Sequence, residues 1–423
     1  MLRFTAAFAI LLAAPAVAET VLLSGAKMLD VRSGALRTNP RILISDGRIA
    51  AVGFDDGPVL TVPAEARRIE VRDLTLMPGL IDVHVHLSDN PAFEGLRSLP
   101  FTDSFWTVHG VASARTLLEL GFTTVRNLGR DLNDVGIKQA VEEGLVVGPR
   151  IVPSGFQLGA TGGHCDYGRM VPPSYRLTAP AMGDSPDELR RRVREQRKNG
   201  AQAIKVCATG GVFSRNPGEQ QLSEAELRAV QEEAAMWGMK VASHAHGAEG
   251  IKASIRSGIS VIEHASFIDE EGIALAKSRG AWLSMDVYNT EYVQAEGRRN
   301  GVSEVSLRTD REVALIQREA FRRAHEAGVR MVFGTDVGGS MPHALAPRQF
   351  ATMVQLGMTP VEAIRTATIN AAAALGRERD VGEVAVGKFA DIIGVYGDPT
   401  DDISLLQQVR FVMKGGEVMR QDP

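Results

Sequence analysis

The chain has 423 residues, with 47 Lys and Arg against 51 Asp and Glu, a formal net charge of −4 and 44% hydrophobic residues. That length exceeds the usual size of a single core and suits an α/β barrel with a small appended domain. With no basic excess, nothing points to nucleic acid or to an anionic membrane surface, and a small-molecule or dipeptide substrate is the expected partner.

The first residues, MLRFTAAFAILLAAPAVAET, place Arg3 before an apolar stretch from Phe4 to Leu12, followed by Ala16, Val17 and Ala18 as a small-residue cleavage site. Residues 1–18 read as a secretory signal cleaved after Ala18, so the mature chain is expected to begin at Glu19 and to be periplasmic or secreted. No later apolar run is long enough to span a bilayer, and no membrane contact is expected after cleavage. Residues 19–75 then read as short β segments, with Asp46 and Gly47 as the hairpin signal between RILIS and RIAAVG. The same style returns in KFADIIGVYGD and VRFVMKGGEVM, so residues 19–75 and 376–423 are expected to build one composite β-sandwich.

Between these ends, residues 76–375 alternate apolar β-rich runs with charged helical stretches. The runs are LIDVHVHL, FTTVRNLG, RIVPSG, AIKVCATGG, KVASHAH, SVIEHAS, AWLSMDVY and RMVFGTDVG. The helical stretch SEAELRAVQEEAAMWG opens on Ser223 with Glu226 in the capping-box position. Eight strands with intervening helices indicate an α/β fold of the (β/α)₈ TIM-barrel type, in which catalytic groups stand at the C-terminal ends of the strands. Cys165 and Cys207 are the only cysteines, too few for a disulfide framework, and free buried thiols are expected.

The strand-end rule selects a short set of residues. His84 and His86 end the first run, and two residues apart in a strand they project to one side. Lys205 lies on the fourth run, His244 and His246 on the fifth, His264 on the sixth and Asp336 on the eighth. Each alone has a structural explanation, a satisfied core histidine or a turn-closing aspartate. Together at barrel strand ends they are groups that can ligate metal.

The motifs PGLIDVHVH, IKVCATGG, SHAHG, IEHAS and FGTDVG resemble those of the amidohydrolase superfamily, in the branch of imidazolonepropionase-like proteins, Xaa-Pro dipeptidases, metal-dependent carboxypeptidases and ochratoxin-hydrolysing amidases. The resemblance covers nearly all of the mature sequence. It implies that His84, His86 and Asp336 bind a more buried metal and that His244 and His264 bind a second, with Lys205 bridging the two as an N-carboxylate formed with carbon dioxide. A buried lysine has a lowered pKa, and its neutral amine can capture carbon dioxide to become an anionic oxygen donor. The ligand types suit two zinc ions best, with manganese or cobalt able to substitute. By the same resemblance, two such ions would lower the pKa of a shared water and supply a hydroxide to attack the amide carbonyl, and Asp336 would carry the proton to the leaving amine.

Further contacts follow from the same resemblance. His246, two residues after His244, is expected to approach the substrate carbonyl rather than a metal, and His164 in GATGGHCDYG to contact substrate from the loop after the third strand. Ser88, Tyr288 and Arg215 are further pocket candidates, Arg215 as a bidentate partner for a substrate carboxylate. His343 falls where relatives often show His-Gly and an acidic residue, a pattern that Ala344 and Arg348 break. The expected reaction is hydrolysis of a C–N amide bond in dipeptides, Xaa-Pro or N-acyl amino acids, or ochratoxin-type amides. The alternatives are a cyclic-amide hydrolase, a deaminase with one metal, and an inactive binding barrel. Side-chain preference and homo-oligomer formation are not legible.

Overall fold

The computed structural model describes residues 20–93, 95–213 and 216–422; residues 1–18, read above as a secretory signal, Glu19 and Arg215 lie outside them. The N-terminal strands are β1 (Thr20–Leu29), β2 (Leu36–Thr38), β3 (Arg41–Ser45), β4 (Arg48–Gly53) and β5 (Arg67–Pro78). Asp46 and Gly47 both take left-handed φ, 51° and 72°, which is what a two-residue turn matched to the twist of β3 and β4 requires. Gly47 is needed there for a second reason, since a Cβ on it would lie 2.7 Å from the carbonyl oxygen of Gly415.

The eight apolar runs all appear as strands: β6 (Leu80–Val85), β7 (Phe122–Asn127), β8 (Arg150–Pro153), β9 (Ala203–Cys207), β10 (Lys240–Ala245), β11 (Val261–His264), β12 (Trp282–Ser284) and β13 (Arg330–Val332). They pair in parallel in the orders β6-β7-β8 and β9-β10-β11-β12-β13. Backbone bonds join the two sets into a ring. Val83 N donates to Phe333 O at 3.0 Å and Asp336 N to His84 O at 2.8 Å, linking β6 to the chain leaving β13. Gln202 N donates to Pro153 O at 2.8 Å and Leu158 N to Lys205 O at 2.9 Å, linking β8 to β9. The helix Glu224–Met236 between β9 and β10 carries the full capping box from Ser223 and Glu226.

Three strands close the chain, β14 (Ile392–Tyr396), β15 (Phe411–Lys414) and β16 (Glu417–Gln421). They join the N-terminal strands in the order β16-β15-β14-β5-β1-β3-β4, with β2 beside β1. The composite unit is therefore one continuous hydrogen-bonded sheet. Its β4 edge returns to the segment before β14, where Ile49 N donates to Lys388 O at 2.9 Å, and the sheet wraps a core that includes Leu23, Ile42, Ile44, Leu76, Ile392 and Phe411. No helix among the described residues is long and apolar enough to cross a membrane.

One expectation is overturned. Cys165 and Cys207 are not free thiols but form a disulfide, with Cα atoms 6.0 Å apart across 42 residues of sequence. The loop after β8 turns back onto β9, where Cys207 N donates to Leu158 O at 2.8 Å, and this return places the two cysteines within bridging reach.

Candidate metal centre and active site

β6, β9, β10, β11 and the segment after β13 deliver the strand-end residues to one place. Lys205 Nζ lies 3.3 Å from His84 Nε2. Asp336 Oδ1 lies 3.2 Å from His84 Nε2 and 3.0 Å from His86 Nε2. The rings of His244 and His264 are 4.5 Å apart, as are those of His246 and His264. All of these side chains are buried or nearly so.

Backbone conformation aims several of them. His264, Ala265 and Asp336 have φ of 69°, 48° and 58°, a region that non-glycine residues rarely adopt and that concentrates at functional sites. At His264 the left-handed turn redirects the chain at the end of β11. At Asp336 it follows Thr335, whose hydroxyl and N–H both donate to buried Asp82, at 2.5 and 3.2 Å.

The donor chemistry fits divalent cations. His84, His86 and Asp336 can offer ligand atoms within 4.8 Å of one another, as can His244, His246 and His264. A third set, His264, Asp286 and Asp336, shares a member with each, so the two groups adjoin. Burial, reinforced by neighbouring histidines and by Lys205, holds His244 and His246 well below the usual imidazole range, leaving neutral rings with lone pairs to donate. Burial likewise brings the Lys205 ammonium down to about 8, although Glu263 and Asp336 oppose it. Asp336 moves the other way: burial would raise its carboxyl, but His84 and His86 hold it well below the usual carboxylate range.

Buried partners orient the ligands, and the strand-end rule does not single them out. Glu263 places Oε2 3.0 Å from His84 Nδ1, a close contact that is misaligned for a hydrogen bond, while Oε1 pairs with Arg126 Nη2 at 2.6 Å. Arg126 is completely buried and anchors Nε on Val83 O at 2.7 Å. Asp286 Oδ1 lies 2.9 Å from His264 Nδ1 and also accepts from Gln317 Nε2 at 2.9 Å. Ser266 Oγ lies 2.8 Å from His246 Nδ1. Such contacts leave Nε2 of each imidazole as the outward donor. A signal for two of them exists in the sequence: Glu263 immediately precedes His264, and Asp286 lies within the seventh run, two residues past the end of β12.

A cavity of about 610 Å³ opens over this centre, lined by His84, His86, Lys205, His244, His246, His264 and Asp336 together with His164. The His164 ring stacks on His244 with centroids 4.2 Å apart, so the loop after β8 does reach the centre. Ser88, Tyr288 and His343 are not among the lining residues. Ser88 is buried beside Gly110, Tyr288 accepts from Arg348 at 3.1 Å, and His343 Nε2 lies 3.1 Å from His86 O, behind the ligand strand. The geometry also keeps His246 within the set of three imidazoles able to hold a cation, so position alone does not divide ligand from substrate contact.

Comparison with known proteins agrees with the motifs. The family model for the amidohydrolase family matches residues 75–419. The chain is 34% identical over 410 residues to ochratoxinase of Aspergillus niger, covering 90% of this chain and 83% of the relative. Among solved structures it is similar to a Xaa-Pro dipeptidase with bound methionine in the active site, with 31% identity, a TM-score of 0.87 and coverage of 95% and 99% of the two chains. It is equally similar to a prolidase complexed with N-methylphosphonate-L-proline, with 31% identity, a TM-score of 0.87 and coverage of 95% and 100%. The chain belongs to the amidohydrolase family and is a hydrolase acting on C–N bonds.

Proposed function

We propose that this protein hydrolyses the amide bond of small substrates that carry a carboxylate beside the scissile amide, such as dipeptides, Xaa-Pro and N-acyl amino acids, and ochratoxin-type amides. The reading is carried by one observation: two adjoining ligand groups, with Lys205 next to His84, lie at the floor of a cavity large enough for a substituted dipeptide. His84, His86 and Asp336 would hold one divalent ion and His244 and His264 the other, with Lys205 as a carbamate between them. Bound there, two zinc ions would supply Lewis-acid polarisation and a nucleophile at neutral pH.

The chain's own residues perform the remaining work. Asp336 stays ionised, because His84 and His86 hold its carboxyl down, so it can take a proton and release it to the departing amine. His246, oriented by Ser266 through Nδ1, presents Nε2 to the carbonyl oxygen as negative charge develops there. His164, stacked on His244, closes one wall over the substrate. Names borne by relatives support the substrate class: ochratoxinase, prolidase and Xaa-Pro dipeptidase all refer to amide or peptide substrates.

The test is a hydrolysis screen of dipeptides and N-acyl amino acids with the zinc-loaded protein, each acid paired with its carboxamide. Turnover of the acids, a strong fall for the amides and two zinc ions per active chain are expected. One tightly held ion in fully active protein would remove the binuclear reading, and equal rates on acid and amide would remove the carboxylate requirement.

A further inference from the structure

A carboxylate-bearing substrate needs a cation in the cavity, and Arg215, the sequence candidate, lies outside the described residues. Arg97, Arg130 and Arg169 line the cavity among those that are described. Arg130 is committed to Asp89, at 3.3 Å. Arg97 packs beside Gly301, on the connection between the helices Asn289–Glu296 and Glu304–Glu326. Arg169 differs from both in being tied to the catalytic wall.

Its Nε donates to the carbonyl oxygen of Gly163 at 3.1 Å, and Gly163 immediately precedes His164, whose ring stacks on the candidate ligand His244. Among the described residues no carboxylate oxygen lies within 4.0 Å of the Arg169 guanidinium. The segment carrying both residues is fixed in several places. Asp166 accepts from the N–H groups of Gly162, Gly168 and Ala179 at 2.9, 3.1 and 2.8 Å, and Cys165 is bridged to Cys207 two residues beyond Lys205. The acids of the cavity are already engaged: Asp336 and Asp286 by the histidines, and Asp310 by Thr290 and Gln294, both at 2.7 Å.

We infer that Arg169 is the specificity-determining residue that receives the substrate carboxylate, held by Gly163 so that its remaining N–H groups meet an anion bound over His164. This rests on the amide-hydrolase reading above. A guanidinium whose Nε is anchored keeps its terminal nitrogens in a fixed plane, the geometry that carboxylates bind through paired hydrogen bonds.

The experiment uses the zinc-loaded full chain and the variants Arg169→Met, Arg169→Lys and Arg97→Met. Calorimetric binding of L-phenylalanine is compared with that of L-phenylalaninamide, and hydrolysis of N-benzoyl-L-phenylalanine with that of its carboxamide. Wild type should prefer the acid in both assays. Arg169→Met should raise Kd and KM for the acid by about ten- to a hundredfold, the range for a lost charge-assisted hydrogen bond. The values for the amides should stay within about a factor of two, kcat should change little, Arg169→Lys should recover part of the preference, and Arg97→Met should keep it. Retention of the acid preference by Arg169→Met, its loss in Arg97→Met instead, or equal binding of acid and amide by wild type would overturn the inference. A parallel fall on acid and amide, unrecovered by lysine, would show that Arg169 only props the His164 loop and would overturn it as well. Acid-selective binding that depends on Arg169, without hydrolysis of either benzoyl compound, would sustain the anion site and strike the functional reading alone.

Discussion

Replacing Glu263 by Gln keeps the size of the side chain and removes its charge. The carboxylate is fully buried between Arg126 Nη2 at 2.6 Å and His84 Nδ1 at 3.0 Å, and Arg126 Nη1 already has no partner. Removing one member of a buried ion pair leaves the other uncompensated, which destabilises a protein by about 3–5 kcal/mol. With unfolding entropy proportional to chain length, that corresponds to a fall in Tm of about 4–6 °C for a chain of this size. Burial alone would raise the Glu263 carboxyl, but Arg126 and then His84 hold it down to about 2, below its ordinary 4.5. A depressed folded-state pKa means that the stabilisation is present above 4.5 and is lost as pH falls towards 2, so the gap between wild type and Glu263→Gln should narrow across that interval. Because Glu263 also sets the His84 ring, metal affinity should weaken by about ten- to a hundredfold. Thermal unfolding at several pH values and zinc competition against a chelator measure the two effects. The double variant Arg126→Met with Glu263→Gln separates them, since removing the orphaned cation should restore much of the Tm and none of the metal affinity. An unchanged Tm would refute the ion-pair argument, and normal zinc affinity in Glu263→Gln would refute the orienting role.

Lys205→Ala should lose most activity and one of two bound ions, with partial rescue by added short-chain carboxylates; metal analysis beside activity assays checks this. His246→Ala should keep both ions and lower kcat by about a hundredfold or more, whereas His244→Ala should lose metal. A lost ion in His246→Ala would instead assign His246 to the second ligand group, which its place among the three imidazoles allows. Exported protein should begin at Glu19, and N-terminal sequencing that returned Met1 would remove the periplasmic assignment.

The candidate ligand residue types and their order were legible because barrel strands confine functional groups to one end of short apolar runs, and because a period of two sets His84 beside His86. Local chemistry was legible for the same kind of reason: the Asp46-Gly47 turn and the Ser223 cap need only a few consecutive residues. What joins distant segments was not. Glu263 reaches Arg126 across 137 positions, and the Cys165–Cys207 bridge depends on a loop folding back across 42. The left-handed turns at His264 and Asp336 carry no residue that announces them, since neither is glycine and both are held by their surroundings. Ser88 and Tyr288 stand near strand ends in sequence and His343 farther along the segment after β13, but all three lie outside the cavity lining, because loop packing after each strand decides which side chain reaches the opening. Periodicity and spacing thus determine which elements form and which ends carry chemistry. Only tertiary closure decides which buried carboxylate meets which cation, because that pairing is set by desolvation and distance between strands that share no local pattern.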